Sequence, residues 1–319
     1  MMKRILALLI LSVLLLSSCG GETEGPMLST DESTTVAENN VMDTTAHETE
    51  PTYEAPESFR ILAIGNSFTV DTFEYLYAIA DSYGAKNIYI GNAAIGGAGL
   101  TKHVECLRGD LANYDYYINH NGKTTATQGH TLKSCLTAQN WDMIVLIGVS
   151  GLVGVEQQYV VLPELIDYVN QHKTNPDAPL VWLVSWAYQA DSDHPSFALY
   201  YEKNQMKMYE MGIAAAKKCV EPLSEIAQII PLSTTFQNLR TSFIGDTLTR
   251  DGHHANLTTG RYALALTFYC AVTGADPYAC PYRLKDDVTE GSRVFDAIAE
   301  AVANALKEPY AVTPATVTK

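Results

Sequence analysis

Short apolar runs rich in β-branched residues alternate along this chain with stretches of helical spacing, and that alternation is the strongest constraint on its fold. Phe59–Gly65 (FRILAIG) is the first such run, and Thr72–Tyr83 follows it with apolar residues at Phe73, Leu76, Ile79 and Ala80. Further strand-like runs occupy Asn87–Ile90, Met143–Ile147, Leu180–Ser185 and Ala227–Ile230. Helical patterns lie at Glu156–Gln171, Phe197–Val220, Gly260–Val272 and Ser292–Leu306. Strands apolar on both faces and separated by helices require a parallel sheet covered on each side. The expectation is therefore an α/β fold, a three-layer α/β/α sandwich around a five-stranded parallel sheet. Tyr114–Thr125, with YDYYIN followed by HNGK, reads as a hairpin inserted between the second and third parallel strands.

The 319-residue chain is 47% hydrophobic and 18% charged, which excludes a wholly disordered polypeptide. Its formal net charge of -15 argues against nucleic acid as a partner. Residues 20–57 hold ten acids and no Lys or Arg, so much of that charge sits outside the α/β pattern. This segment is Thr-, Glu-, Ser- and Pro-rich and cannot bury enough apolar surface to offset its ordering entropy, so it reads as a disordered linker. No internal repeat or second linker interrupts residues 58–309, which form one expected domain, and residues 310–319 read as a flexible tail.

The first 19 residues read as an export address: a basic start at Lys3 and Arg4, an apolar run Ile5–Leu16, then small residues. At about a dozen residues the run is short for a spanning helix, which needs roughly 20. Leu16-Ser17-Ser18-Cys19 resembles the lipobox of bacterial lipoproteins, in which the cysteine is acylated and becomes the first residue. The expected location is thus the outer or periplasmic side of a cell membrane, held there by a lipid on Cys19; a plain secretory signal is the alternative.

In open parallel sheets the working groups sit on loops at the carboxyl ends of the strands. Gly65-Asn66-Ser67-Phe68-Thr69 follows the first strand and opens a helix, which places a serine hydroxyl at the sheet edge. A serine needs a base to take its proton, and the base needs a third group to fix its tautomer. Arg250-Asp251-Gly252-His253-His254 supplies such a pair near the other end of the domain. Read separately, Ser67 is more often a helix N-cap than a nucleophile, and Asp251-x-x-His254 more often a capped turn than a catalytic pair. Their occurrence together, one closing the first strand and one opening the last long helix of the sheet, favours a site.

Gly65-Asn66-Ser67-Phe68 resembles the Gly-Asp-Ser-Leu block of SGNH (GDSL-type) hydrolases, and Asp251-x-x-His254 resembles their last block. WAYQ (Trp186–Gln189), QNLR (Gln237–Arg240) and TRDGHHAN (Thr249–Asn256) further resemble a bacterial branch of that superfamily known as a domain of unknown function. The resemblance implies a flavodoxin-like sheet and ester hydrolysis through an acyl-serine, with no metal and no other cofactor. It makes Ser67 the nucleophile, His254 the base and Asp251 the partner of His254, with His253 as the rival base. It also implies an oxyanion hole built from the Ser67 N–H, Gly97 in the Gly-rich loop after the second strand, and a residue after the third strand. There the family's Gly-x-Asn-Asp is replaced by Gly148-Val149-Ser150-Gly151, so Ser150 must supply the third donor or the enzyme is slow.

Trp186, Tyr188 and Gln189, at the end of the fourth strand, suit a substrate rim for a sugar ring, or alternatively packing under a loop. The expected partner is an acylated small molecule or polysaccharide, from which acetyl or another short acyl group is removed. The alternatives are a lipid ester, for which no long apolar lid is evident, and a non-catalytic glycan-binding relic of the same fold. Five cysteines remain beyond Cys19; Cys106 with Cys135 and Cys270 with Cys280 are the expected disulfide candidates of an exported protein.

Overall fold

A computed structural model describes residues 53–284 and 292–317. The export segment, its Cys19 and most of the linker lie outside the described residues.

Among the described residues, seven strands form one sheet: β1 (Phe59–Gly65), β2 (Ile88–Ala94), β3 (Tyr114–His120), β4 (Lys123–His130), β5 (Met143–Ile147), β6 (Leu180–Leu183) and β7 (Ile226–Ile230). Their order is β4-β3-β2-β1-β5-β6-β7. The five expected strands, β2-β1-β5-β6-β7, pair in parallel. The expected hairpin does not stand apart from them. Its strand β3 pairs antiparallel with β2, and β4 pairs antiparallel with β3, so the sheet has seven strands and not five. The central strands have almost no exposed surface: Leu62, Ala63, Ile144, Val145, Leu146 and Leu183 are fully buried. That explains their unbroken apolar runs.

Two packed groups of helices flank the sheet. The first contains α1 (Ser67–Phe73), α2 (Leu76–Ser82), α8 (Leu232–Arg240), α9 (Thr259–Thr273) and α10 (Arg293–Lys307), with α9 contacting the other four. The second contains α3 (Leu100–Arg108), α4 (Leu132–Leu136), α5 (Leu162–His172), α6 (Pro195–Tyr201) and α7 (Gln205–Cys219). The long pattern read over Phe197–Val220 is two helices, because Glu202 and Lys203 adopt left-handed backbone at φ 55° and 54° and Asn204 caps α7. Likewise Glu156–Val161 is a 3₁₀ turn that precedes α5. Helices α3, α4 and α8 are not among the expected elements; α8 has apolar residues at Leu232, Phe236 and Leu239, and its polar Ser233, Thr234, Thr235, Gln237 and Asn238 are buried as well. Among the described residues no helix is long and apolar enough to cross a membrane.

Both expected borders of the domain move outward. Tyr53, assigned to the linker, lies 2.6 Å hydroxyl to hydroxyl from Tyr269, and its ring meets Tyr83 edge-on. Residues 313–317 of the expected tail are hydrogen-bonded to the domain: Glu300 accepts from the N–H groups of Thr316 (2.9 Å) and Val317 (3.2 Å), and Asn238 accepts from that of Thr313. The Tyr53 and Thr316 side chains find partners on α9 and α10, and the Thr313 backbone one on α8, which composition alone does not reveal.

The disulfide expectation is also corrected. Cys106, Cys135, Cys270 and Cys280 are all free, buried thiols. Burial pushes the Cys135 thiol up to about 12 and raises those of Cys270 and Cys280, so each behaves as a small, neutral apolar side chain.

Candidate active site

The parallel strands bring their carboxyl ends to one edge of the sheet, where four loops converge. Asn66 ties three of them together. As the N-cap of α1 it accepts the Phe68 N–H through Oδ1 (3.0 Å), while Nδ2 donates to Ala98 O (2.9 Å) and Gly148 O (3.2 Å). A buried amide whose donors and acceptor are all used fixes the loops after β1, β2 and β5 in one arrangement. Ser67, next in sequence, is the first residue of α1.

The loop before α9 brings the other two expected residues to it. Asp251 Oδ1 accepts the backbone N–H of His254 (2.8 Å) and of His253 (3.2 Å), and Gly252 allows this turn with φ +83°. Asp251 Oδ2 lies 2.7 Å from His254 Nδ1, and His254 Nε2 lies 2.8 Å from Ser67 Oγ. A carboxylate accepts only, so Nδ1 carries the proton and Nε2 presents a lone pair to the serine hydroxyl. Partial burial works against a charged Asp251, but the hydrogen bonds from the His254 ring and the two N–H groups outweigh it and hold the carboxyl at about 2. Ser67 meets His254 and not the rival His253, whose Nδ1 instead lies 3.2 Å from Asp251 O.

A cavity of about 510 Å³ opens over this chain of hydrogen bonds, lined in part by Gly97, Ser150, Tyr188, His194, Ser196 and His253. Gly97 has φ +67°, and no atom lies within 4 Å of where a Cβ would sit, so the backbone borders open space. Ser150, in a short 3₁₀ turn after β5, is buried, and its Oγ lies 2.9 Å from Tyr188 Oη. The three expected oxyanion residues thus border one space, although the tyrosine competes for the Ser150 hydroxyl.

The expected rim is only partly correct. Tyr188 lines the cavity, but Trp186 is fully buried beneath it. Its ring stacks on Phe68 with centroids 4.2 Å apart, and its Nε1 donates to His253 O at 2.8 Å. Trp186 therefore packs the nucleophile's helix against the histidine loop, using a large apolar face and a single polar tip. Gln189 turns away from the cavity: its Oε1 accepts from Thr249 Oγ1 at 2.5 Å, and its N–H donates to Gly252 O at 2.9 Å. Both residues hold the Thr249–Asn256 loop in place and do not face the cavity.

Asp71 belongs to the site and was not read from the sequence. Its side chain is 1% exposed on α1. It accepts from Arg250 NH1 (2.9 and 3.0 Å), from Arg261 Nε (2.9 Å) and from the Ala255 N–H (3.0 Å). One carboxylate thereby joins the serine's helix to both ends of the histidine loop. Its only sequence signal is an acid four residues after Ser67, and nothing in that spacing points to Arg250. As for a metal, Asp251, His253 and His254 bring ligand atoms within 4.8 Å of one another, but both ring nitrogens of His254 are already hydrogen-bonded.

A mostly parallel α/β sheet thus brings Ser67, His254 and Asp251 from its first and last loops into one chain of hydrogen bonds. Residues 60–302 match the family described as a domain of unknown function (DUF4886), and this chain belongs to that family. A crystal structure of a DUF4886 family protein from Bacteroides uniformis is 36% identical, covering 82% of this chain and 100% of that one with a TM-score of 0.77. An acetylxylan esterase from Geobacillus stearothermophilus is 12% identical over 67% of this chain and 94% of that one, with a TM-score of 0.44. LAE5, an alpha/beta hydrolase enzyme from the metagenome of Lake Arreo, Spain, is 12% identical over 70% and 97%, with a TM-score of 0.44. A search of curated proteins found no match.

Proposed function

We propose that this protein is a serine esterase of the SGNH (GDSL-type) kind that removes acetyl or other short acyl groups from glycans. The observation that carries the reading is the continuous chain Ser67 Oγ to His254 Nε2 (2.8 Å) and His254 Nδ1 to Asp251 Oδ2 (2.7 Å). In the first half-reaction His254 Nε2 takes the hydroxyl proton as Oγ attacks the acyl carbonyl, and Asp251 stabilises the imidazolium. The oxyanion is held by the N–H groups of Ser67 and Gly97 and by the Ser150 hydroxyl. His254 then protonates the departing sugar oxygen, leaving acyl-Ser67. Water, deprotonated by the same Nε2, attacks the acyl carbon; the acyl–Oγ bond breaks, His254 returns the proton to Oγ, and the carboxylic acid and free Ser67 are released. Ser150 fills the place of a carboxamide through the hydrogen bond with Tyr188: when the more acidic phenol donates to Ser150 Oγ, the serine's own hydrogen is free for the oxyanion and is polarised by that bond.

The cavity wall combines apolar Phe68, Val149 and Leu152 with the polar groups of Ser150, Tyr188, His194, Ser196 and His253, and these polar groups beside the nucleophile suit a sugar with a small acyl group. A long acyl chain would need a run of apolar wall, with each buried methylene contributing about 0.8 kcal/mol. p-Nitrophenyl acetate is therefore expected to give a higher kcat/KM than p-nitrophenyl octanoate, and acetylated xylan or a similar glycan to release acetate. Preference for the octanoate would replace the glycan reading with a lipid-ester one.

The same proposal places the enzyme outside the cytoplasm, tethered by an acylated Cys19. Cys19→Ala is expected to move the protein out of the membrane fraction or to leave it unprocessed, as seen by fractionation of expressing cells. Unchanged membrane partition would remove the anchor from the account.

A further inference from the structure

His194 and His253 line the cavity beside Ser67 and take no part in the proton transfers of Ser67, His254 and Asp251. Their rings lie edge to face with centroids 5.0 Å apart, and His253 also meets Tyr188 at 5.5 Å. The backbone gives the two rings opposite hydrogen-bonding characters. His194 is the N-cap of α6 and its Nδ1 accepts the Ser196 N–H (3.3 Å), an obligate donor, with Ser196 Oγ at 2.7 Å. An Nδ1 that accepts carries no proton, so the neutral ring holds its proton on Nε2 and is a donor there. His253 Nδ1 lies 3.2 Å from the carbonyl oxygen of Asp251, which can only accept, so Nδ1 carries the proton and Nε2 is an acceptor. Burial lowers the pKa of both rings, and the nearby His254 lowers that of His253 further, which keeps them in these neutral forms around pH 7.

We propose that His194 and His253 form a recognition subsite for two neighbouring sugar hydroxyls, His194 donating from Nε2 and His253 accepting at Nε2. The inference rests on the glycan reading of the cavity and extends it to named contacts. A hydroxyl is both donor and acceptor, so a pair of adjacent hydroxyls matches one donor and one acceptor side by side. A carboxylate or phosphate would match His194 alone, because it cannot donate to His253. An alkyl chain would match neither and would leave two polar ring nitrogens without partners, a mismatch that penalises apolar ligands. Tyr188, whose ring packs against both histidines, fixes their spacing.

The test is calorimetric titration of the full-length Ser67→Ala protein with acetylated xylotriose, which it can bind without turning over. His194→Asn and His253→Phe are then added singly. Asparagine retains an N-cap acceptor for α6 while removing the second ring nitrogen, and phenylalanine retains the ring contacts of His253 with Tyr188 and His254. Each substitution is expected to weaken Kd about tenfold with the unfolding temperature little changed. An unchanged Kd for either variant, or no binding to the Ser67→Ala protein at all, overturns the subsite. Failure of the esterase reading is distinguishable, because it would appear as wild-type protein that hydrolyses no ester while binding persists and depends on the histidines. Should one variant fail to fold, the other alone decides the matter, since each nitrogen is required by the pairing.

Discussion

Alanine in place of Ser67, His254 or Asp251 is expected to lower kcat for p-nitrophenyl acetate by about 10⁴-fold or more, with folding retained. The magnitude follows from comparable hydrogen-bonded triads, in which removing the nucleophile or base costs about as much as removing all three members. The double variant Ser67→Ala/His254→Ala should therefore be little worse than either single one. The geometry explains this: a proton leaves Oγ only along the 2.8 Å contact to Nε2, and Nε2 is a base only while Nδ1 donates to Asp251. His253 offers the sharpest internal control. Near-normal turnover by His254→Ala together with loss in His253→Ala would show that the neighbouring ring is the base, contrary to the hydrogen bonding described above.

The second large effect is expected at Asp71. Its side chain is almost fully buried and is shared by two arginines, whose own side chains are 32% (Arg250) and 15% (Arg261) exposed. Asp71→Ala would leave Arg250 without its carboxylate, Arg261 with only its longer contact to Glu74 (3.4 Å), and the Ala255 N–H without its acceptor. Breaking a buried pair from one side costs about 3–5 kcal/mol, and the partial exposure of Arg250 places the expectation at the lower end, about 3 kcal/mol. Chemical denaturation of wild type and variant measures this directly. The same variant should lose activity, because Asp71 connects α1, which carries Ser67, to the loop that carries Asp251 and His254. A loss of stability under about 1 kcal/mol, the size of an exposed ion pair, would show that the carboxylate does not hold the two elements together.

The parts of this protein that were legible in its sequence are those where local pattern and tertiary role coincide. β1 and β5 are apolar because both their faces are buried, and the strand pattern matched their observed bounds, Phe59–Gly65 and Met143–Ile147. Ser67, Asp251 and His254 could be singled out because the short spacing of the last two encodes a turn, while Ser67 sits where a parallel strand meets a helix. Legibility failed where a residue's role depends on which way it faces. Trp186 and Gln189 follow β6 as Tyr188 does, yet one is packed under Phe68, one braces Thr249, and only Tyr188 borders the cavity. It also failed where partners are distant in sequence, as with Asp71 and Arg250. Helix α8 was missed for a third reason: it is only nine residues long, and its polar residues from Ser233 to Asn238 are buried although their side chains mark an exposed face. The cysteines show the limit of compartment arguments, since export permits disulfides without requiring them, and burial can use a thiol as an apolar filler.

The central claim is that the His254–Asp251 pair activates Ser67, and labelling with a fluorophosphonate probe tests it most directly. Such a probe phosphonylates a serine whose proton is drawn away by a base and leaves ordinary surface hydroxyls unmodified. Wild-type protein is predicted to take up one equivalent, with the adduct mapped to Ser67 by peptide mass spectrometry, and His254→Ala is predicted to label far more slowly. Wild-type protein that remains unlabelled, or an adduct on any residue other than Ser67, would contradict the account.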